Sequence, residues 1–354
     1  MAGLAAAAEA CRLGAEPVVL EKLRRPGGSM RLSSGVIWRH RDFDTFREEC
    51  PGGDERLQRL IFERLDTDLG WLESLGAPVV TRETGNPLTT GTRFDPEGLT
   101  GALVDAVGGV APADAGGAGV HVAERLREPP PDVPLVLATG GFAADRELLE
   151  QHVSREAGHA FLRAAPGSTG DGLRIGLAAG GATSAGLDQV YARAMPAPPA
   201  RIAEDDLVRL SQLYARHAEV TNERAESYET ATWSEIDVAQ WQLRQPRARA
   251  WFRVPVGQLG ERVRERTVAE MIGSAEAAGA PVRRDQEHVT VETVAGVTTT
   301  LGGLAIDEQA RAAPGVFACG ADAGGIATGG YASGLAAALV LGRIAARAAL
   351  GETP

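Results

Sequence analysis

The residues best suited to chemistry stand near the C-terminus. Residues 320–334 contain six glycines among fifteen residues, between a short apolar run at 315–319 and an alanine-rich apolar run at 335–348. These runs predict a buried strand, a loop and a helix. Glycine has no side chain, so its backbone can approach a ligand closely. A helix N-terminus presents N–H groups and a positive dipole, which favour an anionic or electron-rich ligand. The segment therefore predicts a cofactor site.

Three other glycine-containing segments accompany this loop. They are Gly27-Gly-Ser-Met-Arg-Leu-Ser-Ser-Gly35, Ala138-Thr-Gly-Gly-Phe142 and Thr300-Leu-Gly-Gly-Leu304. In this order, and together with the C-terminal loop, they resemble the motifs of the fumarate reductase/succinate dehydrogenase-type flavoproteins, a group that includes the 3-ketosteroid dehydrogenases. The resemblance implies that the chain binds FAD. It also implies hydride transfer between flavin N5 and a carbon–carbon bond next to a carbonyl or carboxylate.

The start of the chain is typical of the second half of a dinucleotide-binding βαβ unit. Residues 4–13 predict an alanine-rich helix, and residues 17–20 predict a buried strand. In such a unit the third glycine of GxGxxG allows close helix–strand packing, and an acid after the second strand binds the ribose. Gly3 and Glu21 fit these roles. The first strand and the first two glycines are expected upstream of Met1. Three explanations for their absence stay open: a late start codon, a truncated chain or a degenerate gene.

The resemblance also implies which residues contact FAD. The expected contacts are Gly3, Glu21, Lys22, Gly27, Gly28, Ser29, Ser33, Ser34, Gly35, Ala138, Thr139, Gly140, Asp171, Gly320, Asp322, Ser333 and Leu335. Asp171 fits a second role as well, because an Asp before a helix caps its N-terminus. Relatives carry an acid directly after Gly320, where this chain has Ala321. Either Asp322 makes that ribityl contact or the contact is absent.

The charge of the site distinguishes two kinds of substrate. Dicarboxylate-reducing members hold their substrate with a histidine before the third motif and an arginine in the C-terminal loop; here these positions are the threonines 298–300 and Tyr331. Without the two groups a dicarboxylate loses its charge-assisted, bidentate recognition. Fumarate and succinate are therefore not expected as substrates.

Tyr331 instead resembles the ketosteroid dehydrogenase branch, in which a tyrosine at this position donates a hydrogen bond to the substrate carbonyl. A phenol placed there stabilises enolate charge as it develops. The N–H of Gly334 is expected to serve the same oxygen or the flavin edge, and Tyr191 or His217 to exchange the proton at the α carbon. The alternatives stay open that Tyr331 packs the start of the last helix and that Tyr191 and His217 only fill their domain.

The composition excludes several other classes. A net charge of −11 argues against nonspecific nucleic-acid binding. Cys11, Cys50 and Cys319 are scattered without metal-ligand spacing, so no metal site is predicted, and reduced thiols favour a cytoplasmic location. The chain has no uninterrupted apolar run of about 18 residues, so no membrane span is predicted.

The sequence thus predicts an α/β protein, with a Rossmann-like FAD-binding domain and an inserted α+β cap domain. We expect the FAD-binding domain at residues 1–183 and 298–354, the cap at 184–297 and a proline linker at 129–131. The predicted function is FAD-dependent α,β-dehydrogenation or ene-reduction next to a carbonyl of a largely uncharged small molecule, with an unidentified electron donor or acceptor. The alternative is a flavin-free relative that acts as a binding or scaffold protein.

Overall fold

A computed structural model describes residues 1–111, 117–126 and 132–352, so the expected linker at 129–131 lies outside the described residues. Contacts between residues divide the chain into two compact units. Unit 1 comprises Met1–Ala144, Ala165–Leu187 and Thr299–Pro354, and unit 2 comprises Asp145–Ala164 and Asp188–Thr298. Residues 145–164, which the sequence analysis placed in the first domain, thus belong to unit 2. The amino-acid composition does not change noticeably at residue 145, so it did not indicate this boundary. The roles of the units as FAD-binding and cap domains stay predictions.

The regular elements are numbered along the chain. The helices are α1 (Ala2–Arg12), α2 (Phe43–Glu49), α3 (Glu55–Ser74), α4 (Pro96–Ala106), α5 (Arg146–His152), α6 (Asp171–Ala178), α7 (Ile236–Gln242), α8 (Val268–Ala277) and α9 (Gly334–Ala349). The strands are β1 (Val18–Glu21), β2 (Val36–His40), β3 (Val79–Thr81), β4 (Thr89–Phe94), β5 (Gly119–Val122), β6 (Leu135–Leu137), β7 (Phe161–Leu162), β8 (Val190–Pro196), β9 (Glu219–Thr221), β10 (Ser227–Tyr228), β11 (Arg249–Pro255), β12 (Arg262–Val263), β13 (Arg266–Thr267), β14 (Val282–Arg284), β15 (His288–Thr300), β16 (Arg311–Ala313) and β17 (Val316–Ala318).

Unit 1 combines small sheets with helices. Within the described ranges, β1 pairs in parallel with β5, and β6 pairs in parallel with β17, to which β16 adds an antiparallel edge. Strands β2, β4 and β3 form a separate antiparallel sheet. Parallel strands require long crossover connections, which usually contain helices. Helices lie in the chain between β1 and β5 and between β6 and β17. The predicted α/β class is confirmed.

The N-terminal and C-terminal helices of unit 1 pack closely. The alanines of α1 leave little side chain between it and α9, where a Cβ added at Gly342 would lie 2.6 Å from the Ala2 carbonyl oxygen. Glu9 of α1 is fully buried in this contact and bonds Arg343 of α9 at 3.0 Å. Arg343 also pairs with the buried Asp68 of α3. One ion-pair network therefore joins the three helices.

Unit 2 is built on a mixed sheet. Its strands follow the order β10, β9, β11, β15 and β14, and β7 and β8 also pair with β15. Helix α8 begins with a capping box between Thr267 and Glu270, which satisfies N–H groups that the first turn leaves free. The apolar core includes Tyr214, Phe252 and Met271. This arrangement agrees with the predicted α+β character of the insertion.

Candidate cofactor and active site

A buried carboxylate fixes the turn after β6. Asp322 is 1% exposed; it accepts hydrogen bonds from the backbone N–H groups of Thr139 and Gly141, the latter at 3.1 Å, and from the Thr139 hydroxyl at 3.0 Å. Burial is the largest influence on the pKa of Asp322 and keeps it above its ordinary value, although these donors lower it. Asp322 was predicted to contact the ribityl chain of FAD. The contacts described here are to the turn, so any role toward FAD stays a prediction.

The same turn is joined to the start of α6. The Gly172 N–H donates to the Thr139 hydroxyl at 2.9 Å, and a Cβ at Gly172 would lie 2.5 Å from the Asp322 carboxylate. Gly140 and Gly141 have φ of +93° and +71°, a region that side chains disfavour. The Thr-Gly-Gly motif therefore owes its glycines to a left-handed turn at a close approach.

Lys22, directly after β1, reaches the same region. Its ammonium donates to the Thr169 hydroxyl at 2.6 Å and to the Asp171 carboxylate at 2.7 Å. Helix α6 begins at Asp171 with Gly170 as its N-cap, and no side chain makes the capping bond. The capping role considered for Asp171 is therefore wrong, because Lys22 and Thr169 hold its carboxylate. Burial mainly raises the pKa of the neighbouring Glu21, whose carboxylate accepts from the Leu23 N–H at 2.8 Å.

Two predicted glycines lie where α1 meets these loops. A Cβ at Gly3 would stand 3.2 Å from the Ala138 Cβ, and one at Gly320 would stand 2.9 Å from the Ala2 Cβ. Gly320 also has a φ of +64°. Close packing of α1 against the end of β6 and the start of the C-terminal loop thus requires small residues at these positions.

The first glycine motif forms a short turn before β2. Gly27 and Gly28 have φ of +104° and +51°. The Ser29 hydroxyl accepts from the Ala165 N–H at 2.9 Å, and the Ser33 hydroxyl accepts from the Gly35 N–H at 3.0 Å. In the same motif the Ser34 carbonyl accepts from Arg93 at 3.1 Å, and a Cβ at Gly35 would lie 2.1 Å from the Phe94 carbonyl oxygen. The serines and glycines of this motif thus set its backbone path.

The third motif lies beside the C-terminal loop. The Leu304 N–H donates to the Asp322 carbonyl at 2.7 Å, and a Cβ at Gly303 would lie 2.5 Å from the same oxygen. The Thr300 hydroxyl is buried and has no hydrogen-bond partner in the described part of the chain. A Cβ at Gly141 would stand 2.4 Å from it. An unsatisfied hydroxyl thus lies at the meeting point of two glycine motifs.

The loop that carries Tyr331 is held by the end of α2, the first turn of α3 and the segment between these helices. The Gly52 N–H donates to the Thr328 carbonyl at 3.0 Å, and the buried Gln58 side chain donates to the Ile326 carbonyl at 2.8 Å. A Cβ at Gly330 would lie 1.6 Å from the Glu49 carbonyl oxygen. Gln58 was not predicted as a site residue, although a polar residue on the apolar face of a helix indicates a bond to backbone.

Tyr331 packs against an aromatic group from β2. Its ring meets that of Trp38 edge to face, with centroids 5.7 Å apart, and Trp38 meets His40 at 5.3 Å. His40 is 3% exposed, and its Nδ1 has no hydrogen-bond partner within the described ranges. Burial lowers the pKa of His40 to about 4, so the ring is neutral near pH 7. Neither Trp38 nor His40 was predicted as a site residue from the sequence.

Helix α9 begins immediately after this loop. Ser333 is its N-cap, and the hydroxyl accepts from the Ala336 N–H at 3.2 Å and from the Trp38 N–H at 3.4 Å. Gly334 and Leu335 are the first two residues of the helix. Their N–H groups have no acceptor within the helix, which suits the expectation that they meet a ligand oxygen.

The catalytic candidates of the insertion lie in unit 2. The Tyr191 hydroxyl accepts from the Arg193 Nε at 2.8 Å, and His217 Nδ1 lies 2.9 Å from the Gln258 side-chain oxygen. Arg216, next to His217 in the chain, pairs with Glu235 at 3.3 Å. Tyr214 of the same unit is fully buried in the apolar core, where its hydroxyl donates to the Gln212 side-chain oxygen at 2.9 Å.

Neither a metal site nor a membrane-spanning helix is found among the described residues. Among the residues that the structure describes, no cluster of His, Cys, Asp and Glu is suited to hold a metal ion. Over the same residues, no helix has the length and apolar character needed to cross a membrane.

The glycine motifs of unit 1 fit a bound dinucleotide. Backbone at positive φ recurs at Gly27, Gly28, Gly140, Gly141 and Gly320. The unsatisfied Thr300 hydroxyl supplies a polar group in the third motif, and the N-terminus of α9 supplies free N–H groups at the end of the C-terminal loop. Close-approaching backbone with free donors is the kind of surface that nucleotide cofactors require. Fold and loops together define an α/β nucleotide-binding protein.

Comparison with known families gives the cofactor. The FAD binding domain family matches residues 132–334, which is more than half of the chain. The chain belongs to this family of FAD-binding oxidoreductases, and FAD is its cofactor. The predicted resemblance to flavoproteins is confirmed. A search of curated proteins found no match.

Solved structures with a similar fold include a fumarate reductase and two ketosteroid dehydrogenases. A flavocytochrome c3 fumarate reductase in an open conformation has a TM-score of 0.70 at 20% identity, covering 99% of this chain and 76% of the other. The 3-ketosteroid-Δ4-(5α)-dehydrogenase of Rhodococcus jostii RHA1 gives 0.69 at 18% identity, covering 98% and 94%. The 3-ketosteroid Δ1-dehydrogenase of Sterolibacterium denitrificans gives 0.71 at 13% identity, covering 98% and 97%. At these identities the likeness concerns the fold.

Proposed function

We propose that this protein is an FAD-dependent oxidoreductase that acts on a carbon–carbon bond next to the carbonyl of a largely uncharged small molecule. The observation that carries the proposal is the position of Tyr331, a neutral hydrogen-bond donor two residues before the N-cap of α9. Bound FAD would supply the acceptor or the donor of the hydride. The Tyr331 hydroxyl holds the substrate carbonyl and stabilises negative charge on its oxygen.

The surroundings of Tyr331 support a fixed donor. Trp38 packs against one edge of the ring, and Gly330 lies in contact with the Glu49 backbone. A donor whose position is set before the substrate arrives pays no reorganisation cost during the reaction. The N–H groups of Gly334 and Leu335 are proposed to add donors for the same oxygen or for the flavin edge.

The charges of the candidate site residues support an uncharged substrate. The positions where dicarboxylate-reducing relatives carry histidine and arginine are threonines 298–300 and Tyr331. In unit 2, Arg193 donates to Tyr191 and to the Ser234 carbonyl, and Arg216 pairs with Glu235. Arg193 and Arg216 thus hold protein oxygens. A substrate without carboxylates needs no further cation.

Proton exchange at the α carbon is proposed for Tyr191 or His217. Both are polar side chains of unit 2 with a defined hydrogen-bond partner, Arg193 for Tyr191 and Gln258 for His217. A group that transfers a proton needs such a partner to fix its orientation. The solved ketosteroid dehydrogenases of similar fold bind androstene and androstadiene diones, and we propose the same chemical class of neutral, cyclic ketone here.

The test replaces Tyr331. We expect Tyr331→Phe to retain its FAD content and to turn over a cyclic enone on the order of 10²-fold more slowly, since one oxyanion donor is lost. Tyr331→Arg is expected to gain no fumarate reduction, because a single cation cannot hold both carboxylates. Wild-type turnover by the phenylalanine variant would return Tyr331 to a packing role, and rapid fumarate reduction by the wild type would refute the substrate class.

A further inference from the structure

Tyr191 and Arg193 occupy the same face of β8. Residues two apart on a strand point to the same side of the sheet. The Arg193 Nε donates to the Tyr191 hydroxyl at 2.8 Å, and its guanidinium carbon lies 5.0 Å from the centre of the Tyr191 ring. Arg193 is 5% exposed, so this contact is nearly closed to water. A guanidinium held this way favours a negative charge on the oxygen that it contacts.

The position of Arg193 is fixed from its other side. A second nitrogen of the guanidinium donates to the Ser234 carbonyl, in the segment before α7. Arginine presents its donors in a rigid planar fork, so two acceptors fix the orientation of the whole group. The Nε–H is thereby kept on the Tyr191 oxygen, and the tyrosine hydroxyl is held in one place.

Further positive charges face Tyr191 from other elements. Arg163, which follows β7 and is 9% exposed, donates to the Leu207 carbonyl at 3.2 Å and to the Thr298 hydroxyl at 2.9 Å. Arg264 lies in the turn between β12 and β13, with its guanidinium 5.3 Å from the centre of the Trp233 ring. Burial is the largest influence and would raise the pKa of Tyr191, but Arg193, Arg163 and Arg264 together bring it below the ordinary value.

We propose that Arg193 is a positioning residue that orients the Tyr191 hydroxyl and stabilises its phenolate, which makes Tyr191 the base that takes a proton from the carbon next to the substrate carbonyl. The carbon–hydrogen bond breaks, the proton moves to the Tyr191 oxygen, and the electron pair remains on the substrate as an enolate. In the reducing direction the neutral Tyr191 returns the proton. This inference rests on the proposed function, and it selects Tyr191 over His217.

The Tyr191 hydroxyl can be titrated without flavin or substrate. The chain has four tyrosines, and burial is the leading cause that raises the pKa of both Tyr214 and Tyr228. We therefore measure tyrosinate absorbance against pH in the wild type, Tyr191→Phe, Arg193→Gln and Arg193→Lys. The control is Arg216→Gln, whose arginine pairs with Glu235 in the same unit. Circular dichroism establishes that each variant is folded.

We expect the wild type to form one tyrosinate at a pH below the ordinary tyrosine range, and Tyr191→Phe to remove that step. Arg193→Gln should move it upward by about one pH unit or more, Arg193→Lys by less, and Arg216→Gln not at all. In the FAD-loaded enzyme, the pH at which turnover rises should move with the same step in Arg193→Gln.

A first tyrosinate step that persists in Tyr191→Phe, or that is absent from the wild type, would overturn the inference. So would a pH profile of turnover that stays fixed while the titration moves. Because the titration needs neither flavin nor substrate, its failure is distinct from failure of the proposed reaction, which the Tyr331 variants test.

Discussion

The ammonium of Lys22 lies 2.7 Å from the carboxylate of Asp171. Lys22 is the only lysine in the chain and is 16% exposed, and its second bond goes to the Thr169 hydroxyl. The pair joins the end of β1 to the first turn of α6. Two loops that the sequence separates by well over a hundred residues are thus held by one charge-assisted contact.

We predict that Lys22→Met lowers the free energy of unfolding by about 1.5–3 kcal/mol, because hydrogen bonds to charged groups contribute that much. Denaturant unfolding measures it. In the Lys22→Met background, Asp171→Asn should cost less than it does alone, since the two side chains interact. The control is Arg56→Met, which removes an exposed ion pair with Asp54. An effect of Lys22→Met no larger than that of the control would contradict the assigned contact.

Gly330 and Gly334 provide a matched pair of substitutions. A Cβ at Gly330 would lie 1.6 Å from the Glu49 carbonyl oxygen, whereas one at Gly334 would meet nothing within 4 Å. Gly330→Ala should therefore displace the Tyr331 loop, lower the melting temperature and weaken FAD retention. Gly334→Ala should keep or slightly raise the melting temperature, because alanine favours a helix over glycine by about 1 kcal/mol. Equal melting temperatures for the two variants would show that the loop is not packed as described.

His40 is predicted to make stability depend on pH. Its folded-state pKa of about 4 lies below the ordinary 6.5, because burial disfavours the charged ring. Titration of this ring therefore does not lower the free energy of unfolding above pH 6.5. As the pH falls from 6.5 toward 4 the free energy of unfolding decreases, because the unfolded ring binds a proton that the folded ring does not. The loss amounts to about 3 kcal/mol across that window. Unfolding of the wild type and of His40→Phe, measured at several pH values, should give curves that diverge there. Parallel curves would mean that the unfolded and folded rings titrate alike.

The ion-pair network of unit 1 is predicted to respond unequally to removal of its two acids. Glu9 is fully buried; burial would raise its pKa, but bonds to Arg12 and Arg343 lower it to about 2. Burial raises the pKa of Asp68, and one of its carboxylate oxygens has no partner within the described residues. Glu9→Gln should therefore destabilise by about 3–5 kcal/mol, as for a broken buried pair. Asp68→Asn should cost less.

The same network should give an acid-dependent stability. The pKa of Glu9 is lowered in the folded protein. Its contribution to the free energy of unfolding is therefore present above pH 4.5, the ordinary pKa of a glutamate, and is lost as the pH falls toward 2. Urea unfolding near neutral pH and in this acid window, for wild type and Glu9→Gln, measures it. A larger loss in Asp68→Asn than in Glu9→Gln would reverse the assigned roles.

The glycine motifs could be predicted from the sequence, because close backbone approaches require glycines that cluster beside apolar runs. Gly140 and Gly141 mark a left-handed turn, and their spacing to the strand before them is short. The starts of α3 and α9 were also predictable, since Asp54 caps an amphipathic helical stretch and Ser333 caps an apolar one. Local signals of this kind need no knowledge of distant residues.

Contacts between distant residues were not accessible. Asp171 stands where a helix cap is common, but Lys22 holds its carboxylate from another part of the chain. Asp322 follows the C-terminal strand, yet its carboxylate satisfies a turn at residues 139–141. Long-range pairing of this kind depends on how the loops fold together, which periodicity and spacing do not encode.

The most direct test of the central claim compares two substrates of the same FAD-loaded protein. Flavin is reduced anaerobically and mixed rapidly with an uncharged cyclic enone or with fumarate, and its reoxidation is followed by absorbance. We predict that the enone reoxidises it faster on the order of 10²-fold or more, because fumarate would leave two carboxylates without their charged partners. Fumarate reoxidation at or above the enone rate would contradict the account.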